Sequence, residues 1–205
     1  MAMVRSTSAT RPTSSSAVSN SVAPDQATYP PSGVTFRRLT VTDLPMLHDW
    51  LSRPHVAEWW GPADSLADVV DQYQPLTVAG AGDEGYIALS DGREIGYIQS
   101  YVVQGSGDGW WPDEQDPGAR GIDQFLADPD RLGRGLGTAM VRAFVEHLFT
   151  DPAVTSVQTD PAPDNVRAIR SYRNAGFRPV AEVDTPDGRA LLMICGRSGD
   201  QRFSR

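Results

Sequence analysis

Cysteine, histidine and positive charge are all scarce in this 205-residue sequence. Cys195 is the only cysteine, so no disulfide can form within the chain, and the three histidines (His48, His55, His147) are scattered. A zinc-type site needs several Cys or His ligands at short spacing, so no metal is expected. No apolar run approaches the roughly 20 residues that a membrane-spanning helix requires, and no membrane partner is expected either. Eighteen Lys and Arg face 26 Asp and Glu, a formal net charge of −8. The excess is uneven. Between residues 91 and 130, Asp91, Glu94, Asp108, Asp113, Glu114, Asp116, Asp123, Asp128 and Asp130 are opposed only by Arg93 and Arg120. A field of that sign repels nucleic-acid phosphates and attracts cations, although an acidic, solubilising surface has the same composition.

What is present suffices for one packed domain, with a hydrophobic fraction of 40% and five tryptophans. Residues 1 to about 32 are rich in Ser, Thr, Ala and Pro and lack apolar periodicity. Such a stretch buries too little surface to offset its ordering entropy, so a disordered tail is expected. Ser and Thr interrupt it throughout, unlike a signal peptide, which favours a cytoplasmic protein. The folded domain is expected over 33–197, followed by a short tail at 198–205.

Alternation predicts a strand over Val34–Leu39. Leu44, Leu47 and Leu51 predict a helix, with Thr42 as its N-cap. A second helix starts at Ser65, where Asp68 completes a capping box, and Leu66, Val69, Val70 and Tyr73 form its apolar side. Two strands flank the Asp91-Gly92 turn. A strand over Gly121–Leu126, a helix over Gly137–Phe149 and a strand over Val154–Thr159 follow. A helix over Asn165–Ala175 stops at Gly176, and a hairpin around Pro186–Gly188 ends the pattern. The order β-α-α-β-β-β-α-β-α-β-β describes a mixed sheet with helices packed on it, an α+β architecture.

The segment most informative about chemistry is Asp123 to Val141, which runs from strand through loop to helix with glycines at 133, 135 and 137. A helix N-terminus binds anions, and glycines let successive N–H groups approach a phosphate. A Walker loop is excluded because Gly137-Thr138 lacks the lysine, and a dinucleotide fingerprint has different spacing. A plain tight turn would leave the same glycines. The downstream segment Asp164-Asn-Val-Arg-Ala-Ile-Arg-Ser-Tyr-Arg-Asn-Ala-Gly-Phe177 favours a third reading. Together the two segments resemble the paired motifs of the Gcn5-related N-acetyltransferases, which use acetyl-CoA. The resemblance implies a mostly antiparallel mixed sheet with helices on both faces. It implies acetyl-CoA contacts at Gln124, Phe125, Leu126, Gly133, Arg134, Gly135, Leu136, Gly137, Thr138 and Asn165, with Tyr172 beside the coenzyme sulfur. Gln or Arg usually stands where this loop has Leu132. The loop works mainly through backbone N–H groups, so that departure weakens the match only slightly.

Closer resemblance extends over residues 34–194, through Glu58-Trp-Trp-Gly61, Gly96–Tyr101, Gly105–Trp111, Arg120–Gln124, Gln158–Pro161 and Thr185–Gly188. These stretches are similar to those of the aminoglycoside 6'-N-acetyltransferases, in the family's order. That family lacks the N-terminal tail and usually has a longer loop after Gly61. The resemblance implies transfer to the 6'-amine of an aminoglycoside in a ternary complex, with Asp123 as base and Tyr172 as acid. Asp108, Asp123 and Asp160 would hold the drug, with Gln99, Ser106 and Asp187 in lesser roles. Such a polycation suits carboxylates and aromatic walls, for which Trp60, Tyr73, Trp110 and Trp111 are candidates. In each tryptophan pair one member is expected to serve the core instead. The alternative within the same fold is acylation of a hydroxylysine-type amine in siderophore synthesis, which needs fewer acidic contacts. A coenzyme-binding protein without catalysis would not need Tyr172 and Asn165 alongside the glycine loop.

Overall fold

The computed structural model describes residues 33–61, 65–80 and 82–197. Both expected tails, 1–32 and 198–205, lie outside these residues, as does the chain at 62–64 just after Gly61. Seven strands form one sheet in the order β1-β2-β3-β4-β5-β7-β6. β1 (Val34–Arg38), β2 (Glu84–Ser90), β3 (Arg93–Val102) and β4 (Ala119–Leu126) are successively antiparallel. β5 (Ser156–Thr159) runs parallel to β4, and β7 (Gly188–Gly196) and β6 (Arg178–Thr185) extend the sheet antiparallel.

The described helices are α1 (Leu44–Leu51), α2 (Pro54–Trp60), α3 (Leu66–Tyr73), α4 (Leu136–Leu148) and α5 (Val166–Asn174). Successive strand residues point to opposite faces, and the core divides accordingly. Tyr86, Ile98 and Ile122 meet Val141, Phe144 and Val145 of α4 and Ile169 and Tyr172 of α5. Ile87, Tyr97 and Phe125 point the other way, onto Leu47, Trp50, Val56, Val69 and Tyr73 of α1, α2 and α3. Helices therefore cover both faces, as the resemblance implies.

Local chemistry accounts for most boundaries. Ser65 and Asp68 form the expected capping box, with Ser65 N donating to Asp68 Oδ2 at 3.0 Å and Asp68 N to Ser65 Oγ at 3.3 Å. Asp91 and Gly92 take left-handed φ of 52° and 72°, the geometry that a two-residue hairpin demands. Gly176, at φ 105°, follows α5.

Three expectations change. Thr42 does not cap α1; a 3-10 turn over Val41–Asp43 precedes the helix, and Asp43 accepts from Thr40 N and Oγ1 at 2.9 and 2.7 Å. Leu66 of α3 is exposed, whereas Val69 and Tyr73 of that helix are buried and Val70 packs against the same core. The third is α2, absent from the expected order. Its seven residues are too few to display a helical period, although Pro54 in its first turn suits a helix start.

Gly96 is fixed by packing: a Cβ there would lie 2.2 Å from the Phe125 carbonyl oxygen on the adjacent strand. Gly96→Ala is expected to cost about 1–3 kcal/mol of stability, the range for overpacking a tight core. A lowered Tm checks this; an unchanged Tm would mean that β3 and β4 can part locally.

Candidate active site

β4 is the spine of the site. It pairs with β3 from Val102 opposite Arg120 to Gly96 opposite Leu126, but with β5 only over Ala119–Gly121. Beyond Gly121 the parallel strands separate, and no ladder joins β5 to Ile122–Leu126. Backbone groups of that stretch on the β5 side have no strand partner, and buried amides need one. An extended ligand carrying amides can take that place.

On the α4–α5 face, the glycine loop meets this gap. Gly133 and Gly135 have left-handed φ of 72° and 82°. Gly135 is the N-cap of α4 and offers no side-chain cap, so the first-turn N–H groups remain available to an anion. Gly137 has neither reason to be glycine. Its φ is not left-handed, and a Cβ would make only ordinary contacts, 3.5 Å from Ser171 Oγ and 3.7 Å from Leu126 Cδ1. Glycine inside a helix costs about 1 kcal/mol relative to alanine, so the space is kept for something outside the chain. A diphosphate such as that of coenzyme A fits this donor set, with exposed Arg134 beside it.

α5 approaches the same point, with Thr138 Oγ1 3.2 Å from Ser171 Oγ. Tyr172, only 4% exposed, packs edge-on against Phe177. Its hydroxyl has side-chain hydrogen bonds with Thr159 and Gln124, and burial pushes its pKa to about 12. The charges of Asp123 and Asp160 add smaller upward effects. Asn165 caps α5, its Oδ1 accepting from Ala168 N at 3.1 Å, so its Nδ2 is the atom left to serve a ligand. The side chains of Phe125, Leu126 and Leu136 lie in the core, which restricts these residues to backbone contacts with a cofactor.

The opposite face of the same strands carries the acidic groups. Gln99 stands directly across from Asp123, and its Nε2 donates to Asp123 Oδ2 at 3.0 Å. Two pairs along, Tyr101 covers Gly121, where a Cβ would lie 2.1 Å from the ring. Gln158 sits beside Gly121, followed by buried Asp160. Trp60 meets Phe125 and Tyr97 edge-on at 5.0 and 6.1 Å, whereas the Tyr73 ring is buried among the α1–α3 core against Tyr97. Between β3 and β4, left-handed φ recurs at Gly105, Gly107, Asp108, Gly109 and Trp111. Ser106 is buried there and donates to the Val103 carbonyl, while Asp108 is exposed. A Cβ on Gly109 would lie 3.6 Å from Pro186 Cγ, so this loop adjoins the turn carrying exposed Asp187. The Trp110 and Trp111 rings are 6.1 Å apart.

The family model for the acetyltransferase (GNAT) domain matches residues 40–185. The chain is 54% identical over 175 residues to aminoglycoside N(6')-acetyltransferase type 1 of Serratia marcescens, covering 84% of this chain and 87% of that protein. The chain belongs to the GNAT aminoglycoside 6'-N-acetyltransferases. A solved structure of AAC(6')-Ib in complex with paromomycin and acetyl-CoA superposes at a TM-score of 0.78, with 55% identity over 81% of this chain and 94% of that one. Similarity to a lysine N-acyltransferase of Mycobacterium tuberculosis is lower, 28% over 80% of this chain and 76% of that protein.

Two features of this acetyltransferase have no counterpart in its sequence motifs. Arg53 donates to the Ala127 carbonyl at 2.8 Å and His55 Nε2 lies 3.0 Å from the Leu126 carbonyl, anchoring α2, and so Trp60, on the end of β4. No sequence signal marks those partners. Gln158 is 3% exposed with its Nε2 unpartnered, on the acidic face. It lies in the Gln158–Pro161 stretch, where the family resemblance assigns a role to Asp160 alone.

Because its folded pKa is raised from 10 to about 12, Tyr172 stays protonated at neutral pH. The stability it contributes is complete below pH 10 and disappears as pH climbs towards 12. Tyr172→Phe should flatten the loss of stability above pH 10 and delete one late-titrating tyrosine from a spectrophotometric titration. Deletion of a tyrosine that titrates at 10 would contradict the buried placement.

Proposed function

We propose that this protein transfers the acetyl group of acetyl-CoA to the 6'-amine of aminoglycoside antibiotics, conferring resistance, by direct transfer in a ternary complex. The observation that carries this reading is the gap between β4 and β5, bordered by Tyr172 on one face and by Asp123 and Asp160 on the other. The donor arm lies along the unpaired edge of β4, with its diphosphate on the N-terminus of α4 and its thioester carbonyl polarised by β4 N–H groups. The polycation lies on the acidic face, in reach of Gln99, Ser106, Asp108, Asp160 and Asp187, with Trp60 and Trp111 as aromatic walls. No described helix is long and apolar enough to cross a membrane, and cytoplasmic acetyl-CoA sets the location we assign. The catalytic unit is the domain 33–197.

In the transfer, the neutral amine's lone pair forms the C–N bond and the C–S bond breaks, leaving a thiolate, which takes up through solvent the second N–H proton that the nitrogen sheds as the amide forms. Asp123, directly or through water, takes the proton that the ammonium must lose. Tyr172 serves the thiolate as a hydrogen-bond donor. A phenol at about 12 is a weaker acid than an ordinary thiol near 8.5, so complete proton transfer to sulfur is uphill. Carboxylates also raise the pKa of a bound ammonium. The division of labour that resolves this gives the other ammonium groups to Asp108 and Asp160.

Thiol release from acetyl-CoA, with kanamycin, tobramycin and amikacin each offered beside N6-hydroxylysine, tests the acceptor. Rapid release with the aminoglycosides is expected; release with hydroxylysine alone would assign the protein to siderophore chemistry. Asp123→Asn should reduce turnover far more than it weakens acetyl-CoA binding, and unchanged turnover would remove Asp123 from the reaction. Tyr172→Phe should slow turnover roughly 100- to 1,000-fold, the span for removing one hydrogen-bond donor from a developing anion. A smaller loss would assign the thiolate to water.

A further inference from the structure

Tyr97 is absent from the expected site, yet its hydroxyl is the far end of a hydrogen-bonded line that ends on Asp123. Tyr97 OH donates to Gln99 Oε1 at 2.8 Å, and Gln99 Nε2 donates to Asp123 Oδ2 at 3.0 Å. Tyr97 is fully buried, and its ring is boxed by those of Trp60, Tyr73 and Phe125. Room for the hydroxyl comes from Gly85, opposite Gln99 on β2. A Cβ on Gly85 would lie 3.1 Å from Tyr97 OH and 3.0 Å from Leu39 Cδ2. The Gly85 φ is not left-handed, so glycine is needed there for space and not for backbone conformation.

A primary amide can turn either its oxygen or its nitrogen towards a neighbour. Beside a carboxylate only the nitrogen is favourable, since the oxygen would meet like partial charge. Tyr97 holds the amide from its other end by giving the oxygen a donor. Burial pushes the phenol pKa well above its ordinary value, with the charges of Tyr73 and Asp123 acting in the same direction, so the hydroxyl keeps its proton.

We propose that Tyr97 is a positioning residue for acetyl transfer, its hydroxyl fixing the Gln99 amide and thereby holding the Asp123 carboxylate towards the acceptor amine. The inference rests on the reading that Asp123 acts on that amine. The experiment measures kcat and KM for kanamycin and for acetyl-CoA in Tyr97→Phe, Gln99→Met, the double variant and Asp123→Asn. Tyr97→Phe keeps the ring and its packing. It should lower kcat with kanamycin about 10-fold, the order expected when one buried hydrogen bond is lost from a network. The KM for acetyl-CoA should stay unchanged, and the substitution should have no further effect in the Gln99→Met background. Gly85→Ala, which presses on the hydroxyl from outside the site, should give the same kcat-specific loss and stands in should Tyr97→Phe fold poorly. Equal losses in both backgrounds, or a silent Tyr97→Phe beside an impaired Asp123→Asn, would overturn the inference alone. A silent Asp123→Asn would instead overturn the reading of Asp123, and the inference with it.

Discussion

A parallel strand pair that stays in register satisfies its amides internally; β4 and β5 do so for three residues only. Everything chemical about the protein follows from the place where that pairing stops. β4 continues for five residues beyond Gly121, held by β3 on one edge and open on the other. Side-chain alternation along that stretch sends Ile122 and Gln124 towards α4 and α5, and Asp123 towards the acidic face. A ligand laid in the gap therefore meets a phenol from one face and carboxylates from the other, without any helix having to reach across the sheet.

The position of the gap is fixed by groups remote from it. Asp116 accepts from Thr155 Oγ1 and from Gly118 N, both at 2.8 Å, and so ties the start of β4 to the start of β5. Gly118 has no room for a side chain there, since a Cβ would lie 2.4 Å from the Ala153 carbonyl oxygen. Close packing at the N-terminal ends, with the backbone ladder ending at Gly121, turns a parallel pair into a fork that the Tyr172 hydroxyl bridges, through Gln124 and Thr159. At its open end Arg53 and His55 hold the carbonyls of Ala127 and Leu126 against α2.

Periodicity, capping and turn chemistry make most of the elements legible in the sequence itself. The Ser65 box, the Asp91-Gly92 turn and the Gly176 stop are local signals, each complete within four residues, and each appears as expected. The paired motifs likewise point to the family, because the glycine loop and the Asn165–Tyr172 segment each carry their own chemistry. What the sequence conceals depends on partners far apart along the chain. Arg53 meets Ala127 across 74 residues and the Tyr97–Gln99–Asp123 line crosses two strands, so neither follows from spacing. Tyr73 illustrates the same limit from the other side: its position in α3 shows which face it lies on, but not that Tyr97 would cover it.

All 18 cationic side chains of the sequence are arginine, and none is lysine. Arginine stays charged at any working pH and offers a planar fork of donors. Arg197 uses that fork on the carbonyls of Phe149, Asp151 and Val154, clamping the connection between α4 and β5. A lysine could make only part of that clamp. It would also bring an amine whose neutral form attacks thioesters. A guanidinium does not lose its proton under those conditions and cannot attack. An acetyltransferase built on arginine alone thus presents its donor with no competing side-chain amine, and leaves the substrate's amine as the nucleophile the site has to orient.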